Sequence, residues 1–277
     1  MRKLAASTIT GAIKKLCIEA NQNLSLDMLA ILKHAHSVEK KPAAKLVLDE
    51  IIRNAKVAAD DHVPLCQDTG FLIVFIEIGE EVHIKGNLRE AVNDGVRAGY
   101  KDFRKSIVDN PILRKNTRDN TPAILHIDFV PGDKIKIGIL PKGGGAENCG
   151  FQKMFLPTAS RDEIVAYIVE GIKEKAPLAC PPIIIGVGMG GTFDYSTFLA
   201  KKALTRPLNR PNPDTGIAKM EDEILKKVNR LGIGAMGLGG DITALAVLIE
   251  TFPCHIASLP VAVNLECHSH RYREVTI

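Results

Sequence analysis

Apolar residues recur at helical spacing through the first sixty positions. Ile9, Ala12, Ile13, Leu16, Cys17 and Ala20 make one stripe, and Ala44, Val47, Leu48, Ile51, Ile52 and Ala55 make another, each with the period of an amphipathic helix. Pro42 stands in the first turn of the second stripe, where its missing N–H costs little. The pattern stops at the polar loop HVPLCQDTG, residues 62–70. Phe71–Ile78 is then a short apolar run rich in β-branched residues and predicts a buried strand.

Leu88–Phe103 returns to helical spacing. Ala123–Phe129 and Lys134–Leu140 predict two strands around the turn Pro131-Gly132-Asp133, and in the second Ile135, Ile137 and Ile139 alternate with Lys and Gly. PKGGGAENCG, residues 141–150, is a loop. Ser160 and Glu163 form a capping box opening a helix to about Lys175. Ile183–Val187 predicts a buried strand, followed by a helix from Asp194 to Leu204 and another from Ala218 to Leu231. Ile242–Ile249 and His255–Leu265 predict the last two strands. The class is α/β, or mixed α+β: a helical N-terminal part, residues 1–60, followed by interleaved strands and helices over 61–277. A single domain spanning 1–277 is the expected organisation.

Composition narrows the function. At 277 residues, 45% apolar and 25% charged, the chain has globular composition. Its net charge of +4 is too mild for a nucleic-acid partner, and the scarcity of aromatics argues against a stacking platform. No apolar run approaches the ~18 residues of a membrane span. The N-terminus lacks the continuous apolar stretch of a secretory signal. A cytoplasmic protein is expected, in which the six cysteines serve as thiols for metal or catalysis.

Two stretches match G-x-G-x-x-G: Gly186, Gly188, Gly191 and Gly232, Gly234, Gly237. The first follows a predicted strand, but no acidic residue ends a second strand ~20 positions on, as a dinucleotide site requires. The second follows a helix. Lys142 with Gly143, Gly144 and Gly145 is a plausible backbone nest for a carboxylate or phosphate, or else a flexible turn. No C-x-x-C occurs. Cys17 lies on an apolar helical stripe, as a core thiol would. The other five cysteines fall in or beside loops, and spacing alone selects no ligand set.

Four stretches in combination carry a resemblance: VPLCQDTG (63–70), PKGGGAENCG (141–150), CPPIIIGVGMGGTFDYSTFLAKKAL (180–204) and GLGGDITALAVLIETFPCHIASLPVAVNLECHSHR (237–271). They resemble the alpha subunit of the iron–sulfur hydro-lyases, class I fumarate hydratase and L(+)-tartrate dehydratase, in the same order over nearly the whole chain. The resemblance implies a 4Fe–4S cluster on Cys66, Cys180 and Cys267, with the fourth iron open to substrate as a Lewis acid. Cys149 and Cys254 match no ligand position. The reaction implied is reversible hydration of fumarate to malate. The implied substrate-binding residues are Gln67, Asp68, Arg104, Gly143, Gly144, Gly145 and His255, with Asp68 and His255 catalytic. His268 and His270, beside Arg271 and Arg273, read as a solvent-facing C-terminal tail. The chain ends soon after the third cysteine, so the resemblance implies a beta subunit that supplies the remaining catalytic residues, in an alpha2–beta2 heterotetramer. L(+)-tartrate dehydratase is the alternative activity. An NAD-dependent dehydrogenase and a zinc-binding or scaffold module stand behind both.

Overall fold

The strand-forming stretches of the sequence build three sheets, two of four strands and a parallel pair of Arg2–Ala5 with Val82–Lys85. In chain order the elements are β1 (Arg2–Ala5), α1 (Ala6–Gln22), α2 (Leu26–Val38), α3 (Pro42–Asp60), β2 (Phe71–Gly79), β3 (Val82–Lys85), α4 (Leu88–Gly99), β4 (Ile124–Val130) and β5 (Ile135–Lys142). They continue with α5 (Gly144–Glu147), β6 (Phe151–Phe155), α6 (Arg161–Lys175), β7 (Ile183–Gly191), α7 (Phe193–Ala203), α8 (Thr215–Asn229), β8 (Ala244–Cys254), β9 (Leu259–Glu266) and β10 (Arg273–Thr276). The computed structural model describes residues 1–277. The chain forms two units, one of Met1–Ser25, Ala55–Gly144 and Arg271–Ile277, the other of Leu26–Asn54 and Gly145–His270. The mixed class is as the sequence predicts. No helix is long and apolar enough to cross a membrane.

In the first unit the sheet order is β10-β5-β2-β4. β2 pairs antiparallel with β5, Phe71 opposite Lys142, and parallel with β4. The predicted stripe on α1 packs with α4 on this sheet: Ile9, Ile13, Leu16 and Cys17 meet Val92, Val96, Leu72, Val74, Ile137 and Ile139. Burying each such aliphatic side chain contributes roughly 1.5–3 kcal/mol. Cys17 is the core thiol its position predicts, and burial pushes its pKa up.

In the second unit the order is β6-β9-β7-β8, with β7 parallel to β8 and antiparallel to β9. The alternation in β7 explains its two faces. Ile183, Ile185 and Val187 join the core under α6 and α8, alongside Ile168, Ile172, Ile224 and Val228. The opposite face carries Gly186 and Gly188, against which α7 lies. A Cβ on Gly186 would stand 2.2 Å from the Ala200 carbonyl oxygen, and one on Gly188 would stand 2.1 Å from that of Ser196. This G-x-G-x-x-G match is therefore buried inside a strand as a helix-packing surface, not displayed as a strand-to-helix turn around phosphates.

Element boundaries moved where side chains captured backbone groups. The capping box forms as predicted, with Glu163 N–H on Ser160 Oγ and Ser160 N–H on the Glu163 carboxylate. α8 starts before Ala218 because Asp214 caps Gly216 and Ile217. β8 starts after Ile242 because Asp241 and Ile242 donate to buried Glu39, and Thr243 and Ala244 donate to Asn229. β9 starts at Leu259, so His255 lies in a turn and not on the predicted strand. Residues 273–276, expected in a free tail, are β10, paired with β5.

Gly188→Ala should lower stability by about 3 kcal/mol by forcing α7 off β7, measured by urea unfolding; a midpoint equal to the parent's would contradict this packing. Burial pushes the Glu39 pKa up, but the backbone N–H groups of Lys41, Asp241, Ile242 and Lys40 outweigh it and hold the carboxyl below its ordinary value. Its folded pKa being depressed, its contribution is present above about pH 4.3 and is lost as pH falls further. The stability gap between the parent and Glu39→Gln should therefore narrow from pH 7 to pH 3 in urea titrations.

Candidate active site

Strand register assembles the first part of the site. Phe71 faces Lys142 and Arg273 faces Ile139, so the residues just outside β2, β5 and β10 meet at one end of the first unit's sheet. These are the loop 66–70, the turn beginning at Gly143, and Arg271. The approach is close. Gly70 has φ +83°, and a Cβ there would stand 2.9 Å from the Lys142 nitrogen, so only glycine fits.

Asp68 ties these segments together. Its Oδ1 accepts from the Gly70 N–H at 3.0 Å and from Ser106 Oγ at 3.3 Å, while its Oδ2 accepts from the Gly144 N–H at 2.7 Å. Its carbonyl accepts from Arg271 Nη1 at 2.8 Å. The Asp68 N–H reaches Cys66 Sγ at 3.4 Å. Gln67 is exposed beside it.

Arg104 belongs to the loop after α4, which ends at Gly99 rather than at the predicted Phe103. Tyr100 ends that helix, and its buried hydroxyl donates to the Thr69 carbonyl at 3.0 Å. Thr69 Oγ1 donates to the Arg104 carbonyl at 2.6 Å. Asn120 accepts from the Ser106 N–H and donates to the Gly70 carbonyl. The exposed Arg104 side chain thus springs from a pinned backbone.

The second unit holds Cys180 and Cys267. β7 and β9 run antiparallel with Ile184 opposite Glu266, which sets the residues before β7 and after β9 at the same sheet end. The His268 N–H lies 3.4 Å and its Nδ1 3.0 Å from the Cys180 carbonyl oxygen. Cys180 has φ +53°, a left-handed conformation strained for a non-glycine residue, and the next carbonyl, of Pro181, accepts from Met236 N–H at 2.7 Å. Cys149 is buried, its thiol donating to the Gly145 carbonyl, while Cys254 is exposed at the end of β8.

His255 stands apart from the cysteine pair. The chain leaves β8 on one side of β7 and enters β9 on the other. The turn carrying His255 therefore passes the end of β7 opposite Cys180 and Cys267. The eight residues of β9 put roughly 26 Å between them. Its Nδ1 accepts from the Ala257 N–H at 3.1 Å. No three Cys, His, Asp or Glu side chains gather around a single ion position.

The predicted solvent-facing tail is corrected. His270 and Arg271 are buried, and Arg271 Nη1 also donates to buried Asn21 at 3.1 Å. Two basic residues near a chain end suggested solvent; β10 pairing with β5 draws the segment inward instead. Arg271 and Ser106 are the site residues that sequence reasoning missed. Ser106 had no signal at all, while Arg271 lay inside the last recognised stretch.

The pattern of thiols, carboxamide, carboxylate and glycine turn is that of a class of hydro-lyases. The chain belongs to the fumarate hydratase (Fumerase) family, whose model it matches over residues 10–276. It is 39% identical over 272 residues to a Methanocaldococcus jannaschii protein provisionally named L(+)-tartrate dehydratase subunit alpha, with 95% of each chain covered. It is 29% identical over 276 residues to the L(+)-tartrate dehydratase subunit alpha of Escherichia coli UTI89, covering 98% of this chain and 91% of that one.

Asp68→Ala should cost about 2 kcal/mol of stability by leaving the Gly70 and Gly144 donors unmet, with Asp68→Asn closer to the parent. Chemical denaturation checks this, and an unchanged Asp68→Ala midpoint would mean the tie is not made.

Proposed function

We propose that this chain is the alpha subunit of a two-subunit hydro-lyase that reversibly hydrates fumarate to malate, with Cys66, Cys180 and Cys267 as ligands of a 4Fe–4S cluster. The observation that carries the reading is the gathering of Cys66, Gln67, Asp68, Gly143 and the Arg104 loop at one sheet end, in a family named for that reaction. The donor set fits such a cluster in kind. All three cysteines are at least partly accessible, Cys66 receives an N–H from Asp68, and His268 ties the Cys267 segment to Cys180. A cube's thiolates bind separate irons, so they need not crowd one ion position. When bound, the cluster would supply a Lewis-acidic iron with a corner open to an oxygen ligand.

The chain's own part is to hold and orient a small dicarboxylate. Arg104 offers a planar fork matched to a carboxylate, Gln67 an amide donor, and the Gly143–Gly145 turn a backbone free of side chains. Such clamping supplies much of the rate by fixing the reacting geometry. Asp68 acts by placing Gln67 and the turn relative to each other. His255 lies a sheet length from Cys180 and Cys267 within the second unit, and its substrate-binding role is the one the resemblance implies. The base that removes the carbon-bound proton belongs to the beta subunit. The names of the relatives, each an alpha subunit, support a partner, and we take the assembly as alpha2–beta2. Those names also favour the second reading, L(+)-tartrate as substrate.

The test is anaerobic reconstitution with iron and sulfide, alone and with the co-expressed partner. The chain alone should turn brown without turnover, and the pair should hydrate fumarate or dehydrate L(+)-tartrate; the ratio of kcat/KM values chooses between them. Ser in place of Cys66, Cys180 or Cys267 should remove the colour, whereas Cys254→Ser and His255→Ala should keep it. Colour retained in the first three variants, or a pair inert on both acids, would overturn the reading.

A further inference from the structure

We propose that Arg271 is a positioning residue of the dicarboxylate site, holding the Cys66–Gln67–Asp68 segment and the Gly143 turn in mutual register; this rests on the function proposed above. Arg271 is 2% exposed, among the largest fully buried side chains of the molecule. Nη1 donates to the Asp68 carbonyl and to Asn21 Oδ1. Nη2 lies 3.7 Å from where a Cβ on Gly143 would stand, and Asp68 Oδ2 lies 3.4 Å from the same point. Because residue 143 is glycine, no side chain comes between the guanidinium and that carboxylate. Nε has no hydrogen-bond partner.

Burying a guanidinium is costly, and both of its hydrogen-bond acceptors here are uncharged. A neutral donor would hold the Asp68 carbonyl with a smaller desolvation cost. A fold that keeps a full positive charge there, with the Nε–H unmade, follows a requirement other than stability. That requirement is placement. The charge sits behind the Gly143 turn, holds the segment that carries Gln67, and favours an anion at that end of the sheet.

The test uses Arg271→Met, which removes the charge, and Arg271→Lys, which keeps it without the fork, each in the chain co-purified with its partner. In Arg271→Met, kcat/KM for malate should fall roughly hundredfold, mostly through KM, and Arg271→Lys should recover about tenfold of that. Amide exchange in residues 66–70 and 143–144 should quicken in Arg271→Met while β7 and β9 stay unchanged. Should Arg271→Met not fold, the same exchange and KM shifts are expected, smaller, in Arg271→Lys. Unchanged exchange at those segments would overturn the proposal. So would activity lost only in proportion to unfolded protein, with KM constant. A parent pair inert on malate, fumarate and tartrate would sink the functional reading itself, and the parent control alone reveals that; an active parent with unaffected variants sinks only the role of Arg271.

Discussion

The Asp68 carboxylate holds the candidate site together. Four segments distant in sequence end at one edge of the first unit's sheet, and none has a regular partner there. One side chain accepts from Gly70, Ser106 and Gly144, and its own carbonyl accepts from Arg271. An ionised acceptor makes stronger bonds than a neutral one, so a short acidic residue can organise loops that a longer or neutral one would leave loose. Thr69, Tyr100 and Asn120 extend the same network toward Arg104. Gln67 and Arg104 are thereby given a pinned backbone, which is how loops acquire the precision of regular elements.

The second unit solves a different problem with different chemistry. There the cysteines are placed by strand register and by a histidine ring set against a carbonyl, with few charges involved. The glycine face of β7 lets α7 sit against the strand.

Much of this was legible in the sequence, because periodic burial and punctuation by glycine, proline and caps are local signals. The stripes of α1 and α3, the strand after Gly70, and the capping box at Ser160 all follow from spacing. Short strands such as β1, β3, β6 and β10 were not legible, since four or five residues carry no period and their partners lie far along the chain. The start of β8 was missed because Glu39, some two hundred residues earlier, takes the N–H groups of Asp241 and Ile242. Among site residues, those next to a cysteine or in a glycine run stood out. Arg271 looked like an ordinary surface charge, because burial of a charge is decided by tertiary pairing alone.

The left-handed backbone at Cys180 carries a consequence for how this chain can vary. Glycine would relieve the local discomfort at that position, and drift toward easier folding would favour it. Yet a glycine there would have no sulfur to offer. On the function proposed above, the position sets ease of folding against chemistry, and a descendant that gave up the chemistry would be expected to reveal it first by relaxing this one residue.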